Sequence, residues 1–262
     1  MIRARVQVRR PPMVAIATIA AALLSPWAMA QTKAASYEGS PVRLGHGSAH
    51  TIVRTDAEGG LASIGVVFGA AALVGLPTPA AGASPNFPYL LPMPTTGPKT
   101  VVDHVVVNWE SAGHPPPHVY DVQHFDFHFY FVSHEEQMRI TFGSESESGD
   151  PGQQPPADLM PAGYVMPPGT AVAQMGAHAI DPKAPEFNGQ PFTVTLIYGY
   201  YNKQQLFIEP MATLAFLRSK QSYSAPVVRP AAYTKTGAYP SSYSVKYDKR
   251  KKVYEVTLGE LR

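Results

Sequence analysis

The chain has 262 residues, of which 45% are hydrophobic and 15% charged, with a formal net charge of +2 and no cysteine. The missing cysteine excludes a disulfide framework and a thiolate metal site. Without Arg3, Arg5, Arg9 and Arg10, seventeen basic residues face nineteen acidic ones, so the electrostatic basis for a nucleic-acid partner is absent from the rest of the chain.

Those arginines open a secretory signal pattern over residues 1–30. The apolar run Met13–Leu24 follows, and Ala28-Met29-Ala30 offers the small residues that a signal peptidase reads. Twelve residues are too few to span a bilayer, so no stable membrane anchor is expected. The sequence predicts a periplasmic or secreted protein cleaved near Ala30. Residues 31–60 read as a flexible entry segment and residues 61–262 as a single β-rich domain.

Short β-like runs separated by turn residues dominate that domain. They are Ile64–Phe68, Thr100–Asn108, His124–Val132, Phe192–Gly199, Leu206–Glu209, Tyr243–Tyr247 and Val253–Leu258. The fold class is mainly β, a β-sandwich or barrel with jelly-roll and cupin-like forms included, carrying two or three short helices. Helices are expected over Ala70–Val74, over Ser133–Ile140 behind a Ser133-x-x-Glu136 capping box, and over Pro210–Ser219 behind an initial proline. The Pro/Gly/Ser-rich stretches 78–98 and 143–170 read as long loops framing a pocket, and Ser144–Asp150 as a solvated tip. Asp248–Lys252 reads as a hairpin turn.

Six of the nine histidines fall between His104 and His134. At the centre is His124-Phe125-Asp126-Phe127-His128-Phe129-Tyr130-Phe131. Its period of two sends four phenylalanines to one face and His124, Asp126, His128 and Tyr130 to the other. Imidazole is the commonest side chain in zinc and related sites, so the second face points to a divalent metal. The predicted ligands are His124, His128, His178 and Glu209. His178 lies among small residues, and Glu209 is a lone carboxylate after Leu206-Phe207-Ile208, costly to bury unless paired or metal-bound. In a flat strand the Cα atoms of His124 and His128 would stand about 13 Å apart, so sharing one ion requires twist or a bulge. Asp126 and His114 are supporting or alternative ligands; Asp126 and Tyr130 are the candidate catalytic groups. Zinc is the first expectation for the single cofactor, with iron or manganese also suited. His104, His118 and His134 read as non-ligands.

Trp109, Gly113-His114-Pro115-Pro116, Tyr120, the HFDFHFY stretch, Gly176-x-His178-x-x-Asp181 and Ile208-Glu209-Pro210-Met211 together resemble a bacterial family of exported proteins of unknown function whose structural prototype comes from Thermus. The resemblance implies one domain and an exported setting, and no activity. Gln123 departs from the pattern, which has proline before the first motif histidine. The His-x-x-x-His spacing does not meet the His-x-His pair of cupins or α-type carbonic anhydrases.

Two functional expectations follow. One is an exported metal-binding β-protein, in its enzymatic form a metal-dependent hydrolase or related enzyme, with a small-molecule ligand as its expected partner. The other is a non-enzymatic periplasmic binding or envelope-stress protein, in which the His–Asp face is a structural network and exposed tyrosines and prolines favour homo-oligomers.

Overall fold

The computed structural model describes Ile2 and residues 33–262, so the expected signal segment lies, but for Ile2, outside the described residues. Two seven-stranded antiparallel sheets face each other, one of them a half-barrel. The first sheet joins the two ends of the described chain. It contains β1 (Ser36–Glu38), β2 (Val42–Leu44), β3 (Gly47–Thr55), β4 (Leu61–Gly69), β12 (Tyr223–Pro226), β13 (Ser242–Asp248) and β14 (Val253–Gly259). Its order is β1-β3-β4-β14-β13-β12, with β2 also on β3. The middle of the chain forms the second sheet, in the order β5-β6-β7-β11-β10-β9-β8. These strands are β5 (Asn86–Pro92), β6 (His104–Glu110), β7 (His124–Tyr130), β8 (Ala171–Val172), β9 (Gly176–Ala179), β10 (Val194–Tyr201) and β11 (Gln204–Thr213).

The core lies between the sheets, and the phenylalanine face of β7 is its centre. Phe125, Phe127 and Phe129 are fully buried. Phe127 stacks on Phe68 of β4 at 6.0 Å between ring centroids, and Phe68 stacks in turn on Tyr254 of β14 at 5.2 Å. Burying one such ring contributes about 1.5–3 kcal/mol, which locks the register of β7 and holds its opposite face away from the core.

Four differences from the sequence reading matter. The entry segment expected over 31–60 carries β1 and β2, both paired with β3, which in turn pairs with β4. The loop expected over 78–98 contains β5, an edge strand that tolerates Pro88 and Pro92 because one of its sides needs no amide donor. Pro210 does not start a helix. It lies within β11 opposite Leu196, and the helix is the shorter α2 (Leu214–Ser219), capped by Thr213 Oγ1 accepting from the Phe216 amide at 3.1 Å. On the β7 side the paired residues of β11 run Phe207, Ile208 and then Met211 to Thr213, a gap that accommodates the missing proline amide. Fourth, the expected solvated tip is exposed over most of its length but ordered as a 3₁₀ turn, Glu145–Gly149, with Ser148 fully buried. The capping box at Ser133 is present and opens α1 (His134–Met138).

Candidate metal centre

The second face of β7 is as buried as the first. Register sets its neighbours. Asn108 and Glu110 of β6 stand opposite Asp126 and His124. On the other side, Met211 pairs with Asp126 and Phe207 with Tyr130, which sets Glu209 beside His128. Gly199 of β10 pairs with Phe207 of β11 and with His178 of β9, so His178 reaches the same region from two strands away. A Cβ at Gly199 would lie 2.0 Å from the Phe207 ring. The glycine therefore lets that ring lie across β10, where it meets His128 edge-on at 4.7 Å and His178 at 5.5 Å.

The result is two trios. In the first, Nε2 of His128 and Nε2 of His178 lie 3.4 and 3.8 Å from Oε2 of Glu209. In the second, Nε2 of His124 and Nε2 of His114 lie 3.0 and 3.6 Å from Oδ1 and Oδ2 of Asp126. Within each trio the ligand atoms are all within 4.8 Å of one another. The four ligands expected from sequence are thus divided. His128, His178 and Glu209 come together, whereas His124 joins Asp126 and the supporting residue His114. The straightness of β7 is the reason, since i and i+4 on one strand stay far apart without a bulge.

Three of the histidines have fixed tautomers. Nδ1 of His178 faces the Thr170 carbonyl at 2.9 Å, Nδ1 of His124 the Val122 carbonyl at 2.6 Å and Nδ1 of His114 the Pro115 carbonyl at 2.7 Å. A carbonyl only accepts, so Nδ1 carries a proton in each ring and Nε2 is the atom turned toward the trio; in His178, which burial keeps neutral, that atom is a free lone pair. This is the outer-shell arrangement that orients metal-binding imidazoles. The Thr170 carbonyl is itself anchored, because the Thr170 amide donates to Ser148 Oγ at 3.1 Å and Ser148 Oγ donates to the Pro167 carbonyl at 2.8 Å.

Both trios border a cavity of about 610 Å³. His114, Asp126, His128, His178 and Glu209 line it; the stretches 84–86 and 167–170 form part of its walls, as the long loops led one to expect. Much of the remaining lining is apolar, including Pro115, Pro168, Met175, Phe187 and Ile197. His124 and Tyr130 do not line it. Tyr130 is stacked on His104 at 4.8 Å, and its hydroxyl is directed at the Gln174 carbonyl 3.5 Å away. It is therefore placed as a packing residue and not as a proton donor to the cavity. Of the remaining histidines, His104 is held by Asp103 and Gln137, and His118 is exposed.

Buried atoms at the trios lack hydrogen-bond partners among the described residues: His124 Nε2, Asp126 Oδ1, both ring nitrogens of His128 and Glu209 Oε2. The His124–Asp126 and His128–Glu209 separations of 3.0 and 3.4 Å are thus contacts without hydrogen-bond alignment. Each unpaired buried group of this kind costs about 1–3 kcal/mol. Burial pulls His128 down to about 3 and His178 down to about 4, so both are neutral at physiological pH. Burial also pushes Glu209 well above the usual carboxylate range, helped by Asp126 and Glu110. Asp126 behaves oppositely: burial opposes its ionisation, but His124 and His114 overcome that and hold it low. Burial likewise works against charging His114, yet Asp126 lifts it to about 9.

Sequence reasoning missed Glu110. It is buried at the cavity wall, and burial together with Asp126 raises it to about 7. Its place at the end of an apolar run, Val105-Val106-Val107-Asn108-Trp109, was the available signal, the same one that singled out Glu209. Tyr120 was also missed as a lining residue; its hydroxyl donates to Glu186 at 3.2 Å.

Comparison with known proteins adds one match. A family profile described as TTHB210-like, hypothetical protein TTHB210, matches residues 56–109. This fits the resemblance to the Thermus family over that segment, which runs from the β3–β4 turn into β6 and contains neither trio. No curated protein matches the chain, and no solved structure does.

Proposed function

We propose that this is an exported metal-binding β-sandwich protein in which His128, His178 and Glu209 hold one divalent cation at the floor of the cavity, and that it acts as a metal-dependent hydrolase on a small molecule. The observation that carries the reading is that Nε2 of His128 and Oε2 of Glu209, both buried and unpartnered, lie within 4.8 Å of each other and of Nε2 of His178. A structural polar network would satisfy its own donors and acceptors; this one leaves them open. Two neutral imidazoles and a carboxylate suit zinc, with iron and manganese as the other candidates. When bound, such a cation supplies Lewis acidity to a substrate oxygen or to water.

The chain's own residues contribute the rest. Thr170 orients His178, Phe207 spaces the two imidazoles, and Glu209 supplies the anionic ligand. The partly apolar walls exclude bulk water and suit a small organic body, in a volume typical of ligand sites. Export is supported by the signal pattern over residues 1–30. Among the described residues no helix is long and apolar enough to cross a membrane.

The test is calorimetric titration of zinc into protein purified without an affinity tag and stripped by a chelator. His128→Ala and His178→Ala should each abolish one binding equivalent while circular dichroism stays that of the wild type. Unchanged stoichiometry in both variants would remove the trio from metal binding. Metal bound without turnover of ester, amide or phosphoester probes would favour the binding-protein reading over the enzyme.

A further inference from the structure

The second trio is not needed for the first cation, yet it is built in the same manner. His114 comes from the loop before β7, and His124 and Asp126 come from β7 itself. Both imidazoles commit Nδ1 to a backbone carbonyl and turn Nε2 toward Asp126, one to each carboxylate oxygen. With Nδ1 so committed, only Nε2 of each ring is left to face the carboxylate, and what it meets there is a positive charge shared with Asp126, either a proton on His114 or a cation in its place.

A proton on His114 balances Asp126 without closing the trio, since at 3.6 Å the two lie beyond good hydrogen-bond range. The His124–Asp126 contact is short at 3.0 Å, but both of its atoms lack a hydrogen-bonded partner among the described residues. A cation fits well. Bonds of about 2.1 Å in a tetrahedral site place ligand atoms about 3.4 Å apart. The trio's ligand atoms bracket that spacing, all falling within 4.8 Å.

Charge points the same way. Glu110, Asp126 and Glu209 on the sheet, with Glu145 of the 3₁₀ turn, line the cavity, and no lysine or arginine lines it among the described residues. Once the three sheet carboxyl groups are ionised and His114 has released its proton, their charge exceeds what one divalent ion neutralises. Glu110 also stands beside His124 across the β6–β7 ladder, where a further oxygen donor would be wanted.

We propose that His114, His124 and Asp126 hold a second divalent cation, with Glu110 as an adjacent donor, so that the cavity carries a binuclear centre. The second site stands on its own residues; the word binuclear rests on the first site as well. In two-metal sites the ions share the charge of the attacking and leaving oxygens.

The experiment is calorimetric titration of zinc into chelator-stripped protein, with elemental analysis of the dialysed product. Wild type should bind two equivalents. Asp126→Asn should bind one, and so should His114→Ala, whose side chain is partly exposed on a loop and whose loss leaves the strands untouched. Glu209→Gln should also bind one, and Glu209→Gln combined with His114→Ala none. One equivalent in wild type, unchanged in Asp126→Asn and His114→Ala, would overturn the second site and leave the first standing. One equivalent kept in Glu209→Gln and lost in His114→Ala would support the second trio and overturn the first. No bound zinc in wild type would overturn both.

Discussion

Glu209→Gln separates a metal ligand from a structural acid. Glu209 is almost fully buried, and both Nε2 atoms of its trio address the same oxygen, Oε2. Burial and the neighbouring acids push its pKa well up, so without a cation it carries a proton. Replacing it by glutamine then exchanges one neutral group for another of the same shape. The cation-free protein should change by no more than one hydrogen bond, about 1 kcal/mol. The metal-bound protein loses its anionic ligand. A ligand at one hundred times its dissociation constant stabilises the folded state by about 2.7 kcal/mol, and 1 kcal/mol moves the Tm of a domain this size by about 2–4 °C. Zinc at that concentration should therefore raise the Tm of the variant by about 5–10 °C less than it raises that of the wild type. Differential scanning calorimetry on stripped and zinc-loaded samples reads both quantities. Equal zinc shifts in the two proteins would refute the assignment of Glu209. A cation-free Tm lower by 10 °C or more would refute the claim that the buried acid is neutral there.

Zinc affinity should climb with pH, about tenfold per unit below the raised pKa of Glu209. Binding requires the carboxylate and releases its proton, while His128 and His178, pulled down to about 3 and 4, are already neutral above pH 5. Calorimetric titration in buffers of differing ionisation enthalpy would show the released proton, and a flat profile from pH 5 to 8 would contradict it. Gly199→Ala should push the Phe207 ring toward the two imidazoles, since its Cβ would lie 2.0 Å from that ring. We expect a loss of about 1–3 kcal/mol in urea unfolding from overpacking and a zinc affinity weaker by about 10–100-fold; wild-type affinity would show that Phe207 does not space the ligands. Phe127→Ala, in the middle of the inter-sheet core, should cost about 3–5 kcal/mol in the same assay. A cost under about 1 kcal/mol would place the core elsewhere.

Much of the site was legible because β7 states its two faces in one short stretch. Alternation of Phe with His, Asp and Tyr has a single structural solution, and the structure adopts it. Glu209 and His178 were legible for a different reason: a carboxylate within an apolar run and an imidazole among small residues both imply an inward side chain. How the ligands group was not legible. It depends on which strands become neighbours, and β9 reaches His128 only across β10 and β11. His114 depends on a loop path that no periodicity encodes. The strands β1 to β3 and β5 were hidden by glycine and proline, which edge positions and tight turns tolerate. The start of α2 was misplaced because Pro210 suits a first helical turn locally, while pairing with β10 holds it in a strand.

The central claim is that the first trio holds a metal, and anomalous diffraction from a crystal of the zinc-loaded protein tests it most directly. The account predicts an anomalous peak at the zinc edge within about 2.1 Å of Nε2 of His128 and Nε2 of His178, and beside a carboxylate oxygen of Glu209. A fully loaded crystal with no peak between those three residues would contradict it.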